Sequence, residues 1–321
     1  MNQPLSRRHF LGQTALAFAA GTMSTSASAA SRPQNDTKQL PIVDTHLHLW
    51  DLQRFSLPWI AKGSPLARSF VMKDYRAAIA DLNVVKAVYM EVDVDPKQQQ
   101  AEADYVIEIC RARNTPMVAA VISGRPAADN FAKYITRFKG SPYIKGLRQV
   151  LHTPATPAGT CLGGAFVKGI QLLGELGLTF DLCMRPAELP DAVKLIQACP
   201  GTRFILDHCG NAPVQTKDRS QWQRDIASVA KCKNVVCKVS GIVASARPKK
   251  WTANDLAPIV NHTLDVFGSE RVMFAGDWPV CTLTATFRQW VEALKQIVRQ
   301  RREAEQRALF HDNAVRFYGL K

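Results

Sequence analysis

Ile42-Val43-Asp44-Thr45-His46-Leu47-His48-Leu49-Trp50 is a short apolar run that closes on side chains able to do chemistry. The same form returns at Val84–Val92, Met117–Ile122, Ile144–Val150, Leu178–Met184, Arg203–Asp207, Val235–Val239 and Val272–Ala275. Longer amphipathic stretches separate these runs, among them Ala101–Arg113, Phe166–Leu176, Leu189–Ala198, Gln221–Ala230, Ala253–Phe267 and Phe287–Arg301. Continuous apolar strands, rather than alternating ones, are what a parallel sheet covered on both faces requires. Eight strand-plus-helix units in about 280 residues match a closed (β/α)8 TIM-type barrel of the α/β class. An open doubly wound sheet would carry Gly-x-Gly-x-x-Gly after its first strand, and that pattern is absent here. The expectation is one barrel domain over residues 40–321.

Composition agrees with a large buried core. The chain has 321 residues, 46% of them apolar, and no repeating glycine or proline period. That excludes disordered and collagen-like classes. Lys+Arg exceeds Asp+Glu by 41 − 27 = +14. No basic stretch interleaved with aromatics and no zinc-finger spacing accompanies the charge, so it reads as a solvated surface and not a nucleic-acid interface. Eight cysteines occur without a Cys-x-x-Cys pair and several lie inside apolar runs. They read as small core residues, with any disulfide pairing left open.

The start of the chain has a different character. Ser6-Arg7-Arg8-His9-Phe10-Leu11, the mildly apolar run to Met23 and Ala27-Ser28-Ala29 form a twin-arginine signal pattern. Residues 1–29 are expected to be removed and 30–39 to be a linker. The folded protein would leave through the twin-arginine machinery for the periplasm or the medium. No later segment reaches membrane-spanning length.

Barrel chemistry gathers where strands end. His46 and His48 are two apart and face one side of the first strand, where paired imidazoles hold a divalent metal or polarise a carbonyl. Glu91, Arg148, Arg185 and Lys238 follow or sit within later strands as candidate substrate contacts. Trp50 and Trp278 are candidate apolar walls for a ring. His208 closes the sixth strand. Asp277 closes the eighth and is placed to take a proton from water. His9, His152, His262 and His311 read as surface or packing residues.

Asp44-Thr45-His46-Leu47-His48, Leu206-Asp207-His208-Cys209-Gly210, Val236-Cys237-Lys238-Val239-Ser240-Gly241, Gly276-Asp277-Trp278-Pro279 and Asn313-Ala314-Val315-Arg316-Phe317-Tyr318 together resemble the amidohydrolase-2 family. The similarity is to its sugar-lactonase branch, the L-fuconolactonase and L-rhamnonolactonase type. The resemblance implies hydrolysis of a lactone ring, with Asp277, His208, His46 and His48 as the catalytic set. It also implies a mononuclear site at His46, His48 and Asp277 for one zinc-like divalent ion. It leaves metal-free working open, asks for no organic cofactor and leaves the oligomeric state open. Two-metal relatives use a lysine on the fourth strand and a histidine on the fifth. Here Lys145 comes early and Arg185 stands at the fifth strand end, which speaks against a binuclear centre. The alternative reading is a metal-dependent decarboxylase, or another hydrolase, on the same barrel.

Overall fold

The structure is a computed structural model and describes residues 40–321. The expected signal peptide and linker lie outside these residues. Eight strands follow one another around the sheet: β1 (Ile42–Leu47), β2 (Val84–Met90), β3 (Met117–Ser123), β4 (Ile144–Val150), β5 (Thr179–Cys183), β6 (Arg203–Leu206), β7 (Val235–Val239) and β8 (Val272–Phe274). Each is parallel to the next, in the order β1 to β8. All the expected strands form; β4 and β7 keep both expected ends, and the others shift by one to three residues. β1 stops at Leu47 because the chain then turns away and Trp50 bridges to Phe70.

The barrel is nearly closed. Between β8 and β1 there is no regular ladder, only a parallel bridge from Leu47 to Trp278. The Asp277 amide donates to the His46 carbonyl at 2.9 Å and the His48 amide to the Trp278 carbonyl at 2.8 Å. Asp44 reinforces this seam. Its carboxylate accepts from the Gly276 amide at 2.7 Å, the His46 amide at 3.1 Å and the Tyr75 hydroxyl at 2.8 Å. A Cβ on Gly276 would stand 2.2 Å from the Phe287 ring and 2.7 Å from Asp44 Oδ2, so only glycine lets the two ends meet.

Helices cover the outer face and dock through apolar stripes. The helix Phe287–Val298 begins at a Thr286–Gln289 capping box and buries Phe287, Trp290, Val291, Leu294 and Val298. Trp290 Nε1 also donates to the Ala275 carbonyl at 3.0 Å, fixing the helix to the β8 end. Each such side chain contributes roughly 1.5–3 kcal/mol through removal from water. Seven of the eight cysteines are buried and none is bonded to another. No helix among the described residues is long and apolar enough to cross a membrane.

Candidate active site

The carboxyl ends of the strands surround a cavity of about 280 Å³ lined by His48, Arg148, His208 and Asp277, among others. His46 lies beneath it, fully buried, with its ring 4.8 Å from that of His48 and 4.6 Å from that of His208. The four expected catalytic residues therefore converge.

Hydrogen bonds settle where the imidazole protons sit. His48 Nδ1 is 3.0 Å from the Met90 carbonyl, which can only accept, so Nδ1 carries a proton and Nε2 is the ring nitrogen turned to the cavity. His46 Nε2 is 3.2 Å from Arg148 Nη1, a group that can only donate. The His46 proton is then on Nδ1, 3.5 Å from Asp207 Oδ1. Burial drives the His46 pKa well below its ordinary value against the pull of Asp207, so the ring is neutral. Asp207 itself stays well below the usual carboxylate range. Burial pushes it up, but Lys238 first and His46 next outweigh that push.

His208 rests on a run of left-handed backbone, with φ of 55° at His208, 52° at Cys209, 66° at Gly210 and 51° at Asn211. Such a turn costs energy and persists where the surroundings enforce it. The enforcing contacts are visible. His208 Nδ1 is 2.8 Å from Ser240 Oγ, and a Cβ at Gly241 would lie 2.5 Å from the His208 ring. Gly241 has φ +67°, a second reason for glycine there. Burial lowers the His208 pKa, against the pull of Asp277 and Asp207.

Asp277 directs Oδ1 toward both first-strand histidines, 3.5 Å from His48 Nε2 and 3.8 Å from His46 Nε2. Its Oδ2 has no hydrogen-bond partner among the described residues. His48 Nε2, His46 Nε2 and the Asp277 carboxylate thus converge on one point, with Arg148 Nη1 donating to His46 Nε2. Tetrahedral ligands about 2.0–2.1 Å from a zinc ion stand roughly 3.4 Å apart, close to these separations. The potential donor atoms all lie within 4.8 Å of one another. His46, His48 and Asp277 fit one divalent ion, on condition that Arg148 releases its contact with His46 Nε2. Lys145 lines a separate hollow with Arg113 and Lys321, so no fourth-strand lysine reaches this site.

Of the six expected substrate contacts, Arg148 alone lines the cavity. Its guanidinium is already engaged, with Nε 2.6 Å from Glu91 Oε1 and Nη2 2.8 Å from the Glu91 carbonyl. Glu91 is fully buried and anchors Arg148 from below. Lys238 is buried, with Nζ 2.5 Å from Asp181 and 3.3 Å from Asp207, so two carboxylates inside the barrel offset its buried charge. Arg185 binds Glu188 at 2.6 Å and donates to the Thr153 and Thr156 carbonyls, each at 3.1 Å, clamping the loop after β4. Trp50 is buried with Nε1 on the Arg68 carbonyl, and Trp278 packs against Phe70 and Tyr75. These five side chains build the site from behind.

Other residues take their places at the cavity. Trp59, His152, Thr153 and Asn211 line it, although His152 reads from the sequence as a surface or packing residue. Asp207 and Ser240, which orient His46 and His208, sit inside strand-end motifs already visible in the sequence. The available signals were a carboxylate one place before His208 and a hydroxyl directly after the β7 run.

A family model described as amidohydrolase matches residues 43–320. The L-fucono-1,5-lactonase of Burkholderia multivorans is 27% identical over 290 residues, covering 87% of this chain and 96% of that one. The L-rhamnono-gamma-lactonase of Scheffersomyces stipitis is 23% identical over 333 residues, covering 87% and 98%. A solved structure of an amidohydrolase from Burkholderia multivorans with bound zinc overlays with a TM-score of 0.79 at 24% identity, covering 88% of this chain and all of that chain, and shows the same fold.

Proposed function

This chain belongs to the amidohydrolase family, and we propose that it opens the ester ring of a sugar lactone with water, as on an aldonolactone such as L-fuconolactone or L-rhamnonolactone. The observation that carries this reading is Asp277: one carboxylate oxygen is turned to His48 and His46, and the other has no hydrogen-bond partner among the described residues. A cavity of about 280 Å³ suits a single-ring substrate, lying just under the range of drug-sized pockets. The names of the two lactonase relatives support the same class.

In this reaction Asp277 Oδ2 accepts a proton from water as the oxygen attacks the ring carbonyl carbon. With the Ser240 hydroxyl donating to Nδ1, His208 carries its proton on Nε2 and donates it in a hydrogen bond to the developing oxyanion. The ring C–O bond then breaks, and Asp277 returns the proton to the departing alkoxide. Lactone and water become a hydroxy acid with nothing left over. A divalent ion held by His46, His48 and Asp277 would add Lewis-acid polarisation of the carbonyl. Arg148 steadies Asp207, 3.4 Å from its Nη1, and holds positive charge beside the oxyanion.

The test is acid release from a panel of aldonolactones, followed with a pH indicator, alongside elemental analysis of the purified protein. Release above the spontaneous rate on a five- or six-membered sugar lactone is expected. No release from any lactone, together with carbon dioxide from an aromatic acid, would replace this reading with the decarboxylase one.

A further inference from the structure

Resting on the lactonase reading, we propose that Trp59 is the platform on which the apolar face of the substrate ring stacks, while His152 and Asn211 across the barrel mouth read its hydroxyls. Trp59 is a large apolar side chain left 41% exposed, yet it lines the cavity and is not loose. Its Nε1 donates to the Val92 carbonyl at 2.7 Å, and its ring meets Trp50 edge-on at 5.7 Å and 83°. Two fixed points hold the indole plane before any ligand arrives, which lowers the ordering cost of binding. An exposed apolar surface beside a polar centre gains when a ligand covers it.

The strand order gives the two sides of the mouth. Trp59 follows β1, Val92 follows β2 and Val280 follows β8, so these cavity-lining residues occupy one continuous arc. Asp93, the charged residue beside Val92, is occupied by Arg125 at 2.7 Å. His152 follows β4 and Asn211 follows β6, across the barrel from β1. The His152 ring forms no hydrogen bond to another described residue. Asn211 gives its amide N–H to the Met184 carbonyl at 2.8 Å and keeps its side-chain oxygen for another donor. A sugar ring has this same division, with C–H groups on its face and hydroxyls at its edge. Aromatic contact rewards the first, and paired polar groups discriminate on the second.

The experiment measures KM and kcat for wild type, Trp59→Ala and Trp59→Phe on an aldonolactone, and for His152→Ala on that lactone and on unsubstituted δ-valerolactone. Trp59→Ala is expected to raise KM about tenfold with kcat little changed, and Trp59→Phe to restore most of it. His152→Ala should raise KM on the hydroxylated ring and leave δ-valerolactone unaffected. An unchanged KM in Trp59→Ala, or an equal effect of His152→Ala on both rings, overturns this inference while the lactonase reading stands. A wild type that opens no lactone removes the lactonase reading itself, and this inference with it.

Discussion

His48 Nε2 stands 3.5 Å from Asp277 Oδ1, while the Met90 carbonyl, 3.0 Å away, holds the proton of the same ring on Nδ1. The first and last strands of the barrel therefore lead an imidazole nitrogen and a carboxylate to each other across the seam where the ladder is broken. Closing that seam with a regular ladder would continue β8 through Asp277. Instead the chain turns there, at φ 53°, and delivers the carboxylate to the cavity.

Gly241→Ala should damage catalysis without touching a reacting group. The new Cβ would lie 2.5 Å from the His208 ring, at a backbone φ of +67°. Strain of about 1–3 kcal/mol is expected at such a position, and His208 must move off Ser240. The expected result is a lower melting temperature and a kcat reduced about tenfold or more. Wild-type kcat in this variant would show that the placement of His208 does not matter to turnover.

Glu102→Gln should flatten the dependence of stability on pH. Burial first, and the nearby Glu91 charge second, push the Glu102 carboxyl up to about 8 from 4.5. A carboxyl raised on folding contributes stability below its unfolded pKa and loses it as pH rises through the folded one. Wild type should therefore lose on the order of several kcal/mol from this group between pH 5 and pH 9, and the amide variant should not. Denaturant unfolding at both pH values checks this. Equal losses in the two proteins would mean that Glu102 is ionised in the fold.

Much of this site is written in the sequence, and the unwritten part has a common cause. His48, His208 and Asp277 were legible because each is a polar residue closing an apolar strand. Lys238 and Glu91 share that local pattern, yet each is consumed by a charge brought from elsewhere, Asp181 and Asp207 for the lysine and Arg148 for the glutamate, and such pairing has no local spacing. Arg185 is instead taken by Glu188, three residues further along the chain. Trp59 was hidden for another reason, since it lies outside any periodic segment. The eight strands were legible as apolar runs, whereas the broken β8–β1 seam depends on Asp44 reaching Gly276 across 232 positions.

Replacing Arg7 and Arg8 by lysine should trap the unprocessed chain inside the cell, if Ser6-Arg7-Arg8-His9-Phe10-Leu11 acts as a twin-arginine signal. Fractionation followed by N-terminal sequencing reads the outcome, with wild type expected to begin near Ala30. Undiminished export of the double variant would remove the twin-arginine assignment.

The most direct test of the account is kcat for Asp277→Asn on a lactone that the wild type opens. The amide is nearly the same shape as the carboxylate but cannot accept a proton from water. The variant should fold normally, shown by an unchanged circular dichroism spectrum, and lose about 10²–10⁴-fold in kcat. Retention of more than about a tenth of wild-type kcat would contradict the assignment of Asp277 as the base, and His208 would become the group to test next.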